Sequence, residues 1–424
     1  MPSSPPSGAR LGRRRPGAFL LSFFPQERDY RRKLLLVGIL YYAEGIPYGF
    51  LFKTLGYYLS AGQISLTVVG LAGLLHLPWS LKFIWAPLLD RFGPRWVWIA
   101  SSQALLIAAL SLFPWMDLNS SAFVCLLILV ALAGATQDIA IDAYTIDILT
   151  PEEQGPANGV RVTAYRVALI ASGGLMVWLS DYLGWAGAVT LFVLSLALVW
   201  LAVLFWPLAH AAPVPEQAKA RSSLLSAFRL AWLGVIRLPH LGPVVLFIFF
   251  FKAGEAFLGQ MVGPFWVQSG FSPAQFGLVS GVLGTVLTII GSLGGGVLVN
   301  RWGLGLSLWL LGGLQALSNL GYSLAACWPG WIPATYGASM VESFCGGLGN
   351  APLLTLLMRL CNREASAGQY AILSAIFSLS GAGAASWSGY TAETLGFFWC
   401  FTISFVISLP AFALLPFLPL DKKE

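Results

Sequence analysis

Gly296-Val297-Leu298-Val299-Asn300-Arg301-Trp302-Gly303 ends one long apolar run, and Asp90-Arg91-Phe92-Gly93 ends another, with Arg91 and Arg301 lying 210 positions apart. In each copy a short polar turn, built on Arg and closed by Gly, follows a run of about 20 apolar residues, the length that crosses a lipid core as a helix. Recurrence at half the length of a 424-residue chain implies two halves of one plan.

Composition says what surrounds those runs. Hydrophobic residues make up 57% of the chain and charged residues only 10%. A soluble domain is about 25% charged, so this chain lacks the polar surface that water requires and an ordinary soluble enzyme is excluded. The mean hydropathy of +0.76 and the 17 Trp point the same way, since Trp gathers where helices leave the bilayer. Twelve spans of about 20 residues would use about 240 positions. The hydropathy pattern places them near 34–59, 64–89, 96–115, 122–148, 159–179 and 186–207, then 241–268, 276–299, 304–326, 332–359, 369–390 and 397–418.

Lys and Arg orient the array. They crowd into the tail (Arg10, Arg13, Arg14, Arg15, Arg28, Arg31, Arg32, Lys33), the turns at Arg91, Arg95, Arg161, Arg301, Arg359 and Arg363, the middle linker and the C-terminus. The opposite loops, 60–65, 116–121, 180–186, 269–275, 327–331 and 391–396, contain neither. The positive-inside bias therefore puts both termini in the cytoplasm and requires an even number of spans. The net charge of +6 marks the cytoplasmic face rather than a nucleic-acid surface.

The domain plan follows: 1–33, a disordered basic tail; 34–207, a first six-helix bundle; 208–240, a cytoplasmic linker; 241–418, a second bundle; 419–424, a short tail. Within the linker, Leu225, Phe228, Trp232 and Val235 share one face of an expected interfacial helix. The five cysteines show neither metal nor redox spacing and read as small core residues. The chain also lacks G-K-[ST] and H-E-x-x-H motifs, so no ATP-driven cycle, metal or cofactor is expected.

Ionisable groups inside spans are costly and usually mark a substrate or ion path. Asp138 and Asp142 lie four apart in Gln137-Asp138-Ile139-Ala140-Ile141-Asp142 and share a helix face. Taking Glu152–Gly155 as the tip of the following hairpin puts Asp142 level with Arg166, and Asp147 level with Arg161. Those two pairs are the expected contacts, which leaves Asp138 as the proton carrier. Lys252 and Glu255 are spaced for an ion pair along one helix, and Glu342 precedes the glycine-rich Cys345-Gly346-Gly347-Leu348-Gly349. In Glu44-Gly45-Ile46-Pro47-Tyr48-Gly49, Pro and Gly weaken the helix beside a carboxylate. Lys53 would lie opposite Glu44 on an undistorted helix, and its role stays open. His76 among leucines reads as a packed side chain.

Three stretches carry a family resemblance: Leu81-Lys82-Phe83-Ile84-Trp85-Ala86-Pro87 with Asp90-Arg91; Gln137-Asp138 through Asp142-Ala143-Tyr144 to Tyr165-Arg166; and Phe251-Lys252-Ala253-Gly254-Glu255. The repeated turn resembles the loop signature of the major facilitator superfamily. Together the stretches resemble the AmpG-type muropeptide permeases, in its peptide/acetyl-coenzyme A transporter branch. That resemblance implies an all-α membrane protein, twelve helices in two pseudo-symmetric bundles, acting as a monomeric proton-coupled importer of anhydro-muropeptides in the bacterial inner membrane. Its partners would be a small glycopeptide, protons and the lipid bilayer, with no nucleic acid.

On this reading Asp138, Asp142, Glu255 and Glu342 are the coupling carboxylates. Glu44, Tyr48, Lys82, Gln137, Arg166 and Lys252 bind substrate, and Asp90, Arg91, Asn300 and Arg301 latch the cytoplasmic gate. The same branch includes siderophore permeases and acetyl-coenzyme A carriers, so the cargo is less determined than the family. A membrane-embedded transferase would need donor-site residues in the long loop, where His210, Glu216 and His240 form no constellation. A sensor that binds without transporting would not need two opposed, charged halves.

Overall fold

The computed structural model describes residues 28–205, 232–238, 240–361 and 366–419. Residues 1–27 and 420–424 of the expected tails and most of the linker, including most of its amphipathic stretch, lie outside them, whereas 28–33, expected to be disordered, open the helix Arg28–Gly49. Every regular element among the described residues is helical. Among the described residues eight stretches are long and apolar enough to cross a membrane, and two of these, Ala157–Phe205 and Ile372–Phe417, run to 49 and 46 residues. Each long stretch is broken once, at Gly184 (φ 67°) and at Gly396 (φ 80°). These positive φ values suit glycine, which has no Cβ to clash. The glycines of the repeated turn, Gly93 (φ 76°) and Gly303 (φ 80°), do the same work at the other end.

Local sequence sets the helix starts. Ser65 caps Leu66–Leu71 by accepting from Val68 N, and Ser272 caps Pro273–Phe276 by accepting from Gln275 N. Thr150 precedes Pro151–Leu169, with Pro151 in the first turn and the Glu153 carboxylate accepting from Thr150 N at 2.9 Å. Three short π-helical stretches, Phe50–Thr54, Ile170–Leu175 and Gly277–Leu283, interrupt otherwise regular helices. The weakness expected at 44–49 therefore falls one turn later: Pro47 stays within Arg28–Gly49, and the distortion begins at Phe50.

The helices before 205 pack mainly on one another. Arg28–Gly49 lies against Ser121–Ile148 and Pro151–Leu169, and Arg95–Leu112 against Ser121–Ile148 and Met176–Phe205. The later helices repeat the pattern, with Leu241–Gln268 on Ser366–Leu414 and Gly284–Trp302 on Ile332–Arg359. The halves meet where small residues allow backbones to touch, the usual basis of helix association in lipid. Gly70 and Gly73 face Gly389 and Ala385, and Gly174 faces Gly277 and Gly281; a Cβ on Gly70 would come within 2.7 Å of Gly389 N.

Four hydrogen bonds among the described residues cross between the halves at this end. Glu393 Oε2 accepts from Thr67 N (2.9 Å) and Thr67 Oγ1 (2.5 Å), Asp181 Oδ2 accepts from Ala274 N (3.3 Å), and the Tyr57 hydroxyl donates to Phe271 O (3.0 Å). All lie at or beside the loops that carry no Lys or Arg. Cys345 and Cys400 are buried as expected, but Cys125 and Cys327 are exposed on outward helix faces.

Candidate functional site

The first polar cluster is built where Arg28–Gly49, Ser121–Ile148 and Pro151–Leu169 meet. Its geometry corrects both expected hairpin pairs. Asp142 Oδ1 takes Arg161 Nη2 at 2.9 Å, not Arg166, and Asp147 Oδ2 takes Arg95 Nε at 3.5 Å, not Arg161. The cause is the start of the second helix. Thr150 and Pro151 open it at once, so the turn centres near Leu149–Thr150 and the facing register shifts by several residues. Arg166 instead interacts with Tyr48 and Tyr165.

Around Asp142 the contacts are tight. The Tyr41 hydroxyl donates to its Oδ1 at 2.6 Å, and the Arg161 guanidinium lies 4.7 Å from the Tyr41 ring centroid. One helical turn away, Asp138 is paired with Lys82 Nζ, so the acid expected to lack a cation has one. Glu44 is only 5% exposed and interacts electrostatically with Asp138, Asp142 and Lys82. Gln137 is fully buried, and neither amide atom has a hydrogen-bond partner among the described residues. Nearer the basic end, Lys33 Nζ pairs with Glu153 Oε2 at 3.0 Å.

Between the halves lies a cavity of about 380 Å³. Its N-terminal-half wall is aromatic. Phe52 stacks on His76 with centroids 3.4 Å apart, and Tyr48 meets Phe52, His76 and Trp79 edge-on. The C-terminal-half wall is charged. Lys252 pairs with Glu255 one turn along its helix, as the spacing predicts, and Glu342 Oε2 accepts from Ser343 Oγ at 3.3 Å. Glu342 also interacts with Glu255, Lys252 and Lys53. Gln260 and Lys53 join the lining, and Gln260 Nε2 donates across the halves to Val69 O at 2.6 Å.

The structure thus brings Tyr48, Lys252, Glu255 and Glu342 to one cavity and gathers Glu44, Lys82, Asp138 and Asp142 into the adjacent cluster. Asn300 and Arg301 are exposed, more than 40 positions in sequence from either group. The side chains of Asp90 and Arg91 lie outside the described part. Sequence reasoning left Lys53 open because its π-helical turn, which alters the face it presents, has no local signature. Tyr41 was missed although it precedes Glu44 by three residues on the same face, a spacing that could have found it.

A multi-pass helical array whose two halves enclose a polar cavity is the architecture of a membrane transporter of small molecules. The chain belongs to the major facilitator superfamily, in its AmpG-type branch: the superfamily profile matches residues 34–327. It is 32% identical over 410 residues to the anhydromuropeptide permease of Escherichia coli, covering 93% of this chain and 80% of that one. A putative transporter AmpG 4 of Rickettsia conorii is 28% identical, with 92% and 97% covered. Among solved structures, a bacterial homologue of the human lysosomal transporter Spinster in an inward-facing, unoccupied conformation superposes with a TM-score of 0.73 at 15% identity, covering 92% of this chain and 97% of that one. The nucleoside transporter NupG gives 0.67 at 14%, covering 92% and 100%. These two establish likeness of fold.

Proposed function

We propose that the chain is a proton-coupled secondary transporter that imports anhydro-muropeptides across the bacterial inner membrane by alternating access. The observation that carries this reading is the inter-half cavity, aromatic on one wall and doubly charged on the other. A disaccharide offers faces for aromatic stacking, while its attached peptide offers carboxylates and an amine to Lys53, Lys252, Glu255 and Glu342. The name of the E. coli relative supports the same cargo.

On this reading the breaks at Gly184 and Gly396 divide the long helices into separate crossings, giving twelve spans in two bundles with both termini cytoplasmic. The end closed by Thr67–Glu393 and Ala274–Asp181 is then the outer face, and the site opens inward. Asp138, Asp142, Glu255 and Glu342 remain candidates for coupling; Tyr48, Lys82, Gln137, Arg166 and Lys252 position substrate or its counter-charges. Asp90, Arg91, Asn300 and Arg301 latch the inner face when the cycle reverses. The transporter works as a monomer.

The test is uptake by a permease-null strain expressing this chain and offered labelled anhydro-muropeptide, a ferric siderophore and acetyl-coenzyme A in parallel. Accumulation of the muropeptide alone supports the reading. Preference for either of the others reassigns the cargo within the family, and binding without counterflow in proteoliposomes would indicate a sensor.

A further inference from the structure

The N-terminal-half cluster holds three carboxylates, Glu44, Asp138 and Asp142, and its paired cations are two, Lys82 and Arg161. Asp138 is taken by Lys82. Asp142 is taken by Arg161 and by the Tyr41 hydroxyl. Glu44 is left over. It is 5% exposed, its Oε2 is buried, and that oxygen has no hydrogen-bond partner among the described residues.

The groups around it are known from each neighbouring element. Tyr41 and Tyr48 share its helix, Asp138 and Asp142 face it from Ser121–Ile148, and Lys82 from the Lys82–Ile84 turn. Arg161 and Tyr165 interact with it from Pro151–Leu169. Arg166, on that same helix, is engaged with Tyr48 and Tyr165 and forms no ion pair among the described residues. A third carboxylate, buried beside two acids that already hold both near cations, would if ionised be an unpaired buried charge, which is far more costly than a neutral acid.

We infer that Glu44 is the coupling residue of the transporter, holding one proton in the conformation seen here and releasing it when the cluster opens. The step is an O–H exchange at one carboxyl: in the outward-open state a proton from the outer side binds Glu44, it stays there through closure, and it leaves to the cytoplasm from the inward-open state. Asp138, the acid favoured by sequence, is then a positioning partner of Lys82. Location suits the role. Glu44 lies two turns before the π-helical stretch Phe50–Thr54 that delivers Lys53 to the cavity, so rearrangement of one helix reaches proton site and substrate site together.

This inference rests on the proposed transport function, and one set of measurements separates the two. Purified full-length chain in proteoliposomes is given labelled anhydro-disaccharide tetrapeptide, first as counterflow without a gradient, then under an imposed pH gradient. Wild-type protein without counterflow overturns the proposed cargo and leaves Glu44 to be judged by stability.

For Glu44→Gln, gradient-driven accumulation and substrate-linked proton movement are expected to fall at least about ten-fold further than counterflow does. Accumulation equal to wild type overturns the assignment. Stability gives the independent readout: glutamine is isosteric with a protonated acid, so the Glu44→Gln protein is expected to unfold at the wild-type temperature. A variant that unfolds markedly earlier, or is lost from the membrane, shows that a charged Glu44 was stabilising the fold, and this too overturns it. Glu44→Asp keeps a titratable group and should restore coupling in part; no recovery counts against the assignment.

Discussion

Glu393 accepts two hydrogen bonds from Thr67, one from its backbone N–H and one from its hydroxyl, and so ties the two halves together at one end of the molecule. Asp181 makes the equivalent contact to Ala274 N. The equivalence is close. Thr67 lies two residues after the cap Ser65 and Ala274 two after the cap Ser272, while Glu393 lies three before Gly396 and Asp181 three before Gly184. Each half therefore offers one carboxylate to the start of a helix in the other, where the free N–H groups favour an anion.

These exposed contacts are each worth about 1 kcal/mol or less. Glu393→Ala is thus expected to raise the outward-open population about two- to five-fold, and adding Asp181→Ala to raise it further. A cysteine at the cavity position Ser280, labelled from outside intact cells by an impermeant maleimide, reads this as a faster rate. An unchanged rate in the double variant would remove these carboxylates from the gate.

Such a latch had no sequence signature, because its partners are 326 and 93 residues apart. What was legible is what repeats or is periodic: the apolar runs, the Arg-Gly turns at Gly93 and Gly303, and the Lys252–Glu255 spacing along one helix. The expected Asp142–Arg166 and Asp147–Arg161 pairs failed because facing residues depend on where the turn falls, which Pro151 moved, and because Arg95 reaches Asp147 from a helix outside the hairpin. Lys53 reached the cavity through a π-helical stretch that a 3.6-residue period does not foresee.

The register correction can be tested by a double-mutant cycle. Removing either Asp142 or Arg161 leaves a half-buried charge unmatched, so Asp142→Asn and Arg161→Gln should each destabilise by about 1–2 kcal/mol. The double variant should cost less than their sum by about 1 kcal/mol. Paired with Asp142→Asn, Arg166→Gln should show additivity within about 0.5 kcal/mol. Denaturant unfolding in detergent measures wild type and all five variants, and coupling to Arg166 instead of Arg161 would restore the original register.

Lys82 and Asp138 pose the same question where function and stability diverge. Lys82→Met strands Asp138, which is 8% exposed, and is expected to cost about 1–3 kcal/mol. Lys82→Met with Asp138→Asn removes both charges and should recover most of that stability. Transport should not return, because Lys82 and Asp138 both interact directly with Glu44. Thermal unfolding and counterflow on the same preparations distinguish the effects. Recovery of both together would reduce the pair to a structural staple.

The glycine contacts set a stricter condition on closure than the hydrogen bonds do. Gly281 packs directly on the backbone of Gly174, and an added Cβ would overlap it, with no side-chain rotation available as relief. Gly281→Ala should therefore leave each half folded but keep this end apart, since the overlap exists only in the closed arrangement. The expected phenotype is normal membrane abundance, little transport, and outward labelling at Ser280→Cys faster than in the Glu393→Ala, Asp181→Ala double variant. Gly296→Ala is the control, because its Cβ would meet nothing within 4 Å. If Gly281→Ala transports like the control, the close approach seen here is not required at any step of the cycle.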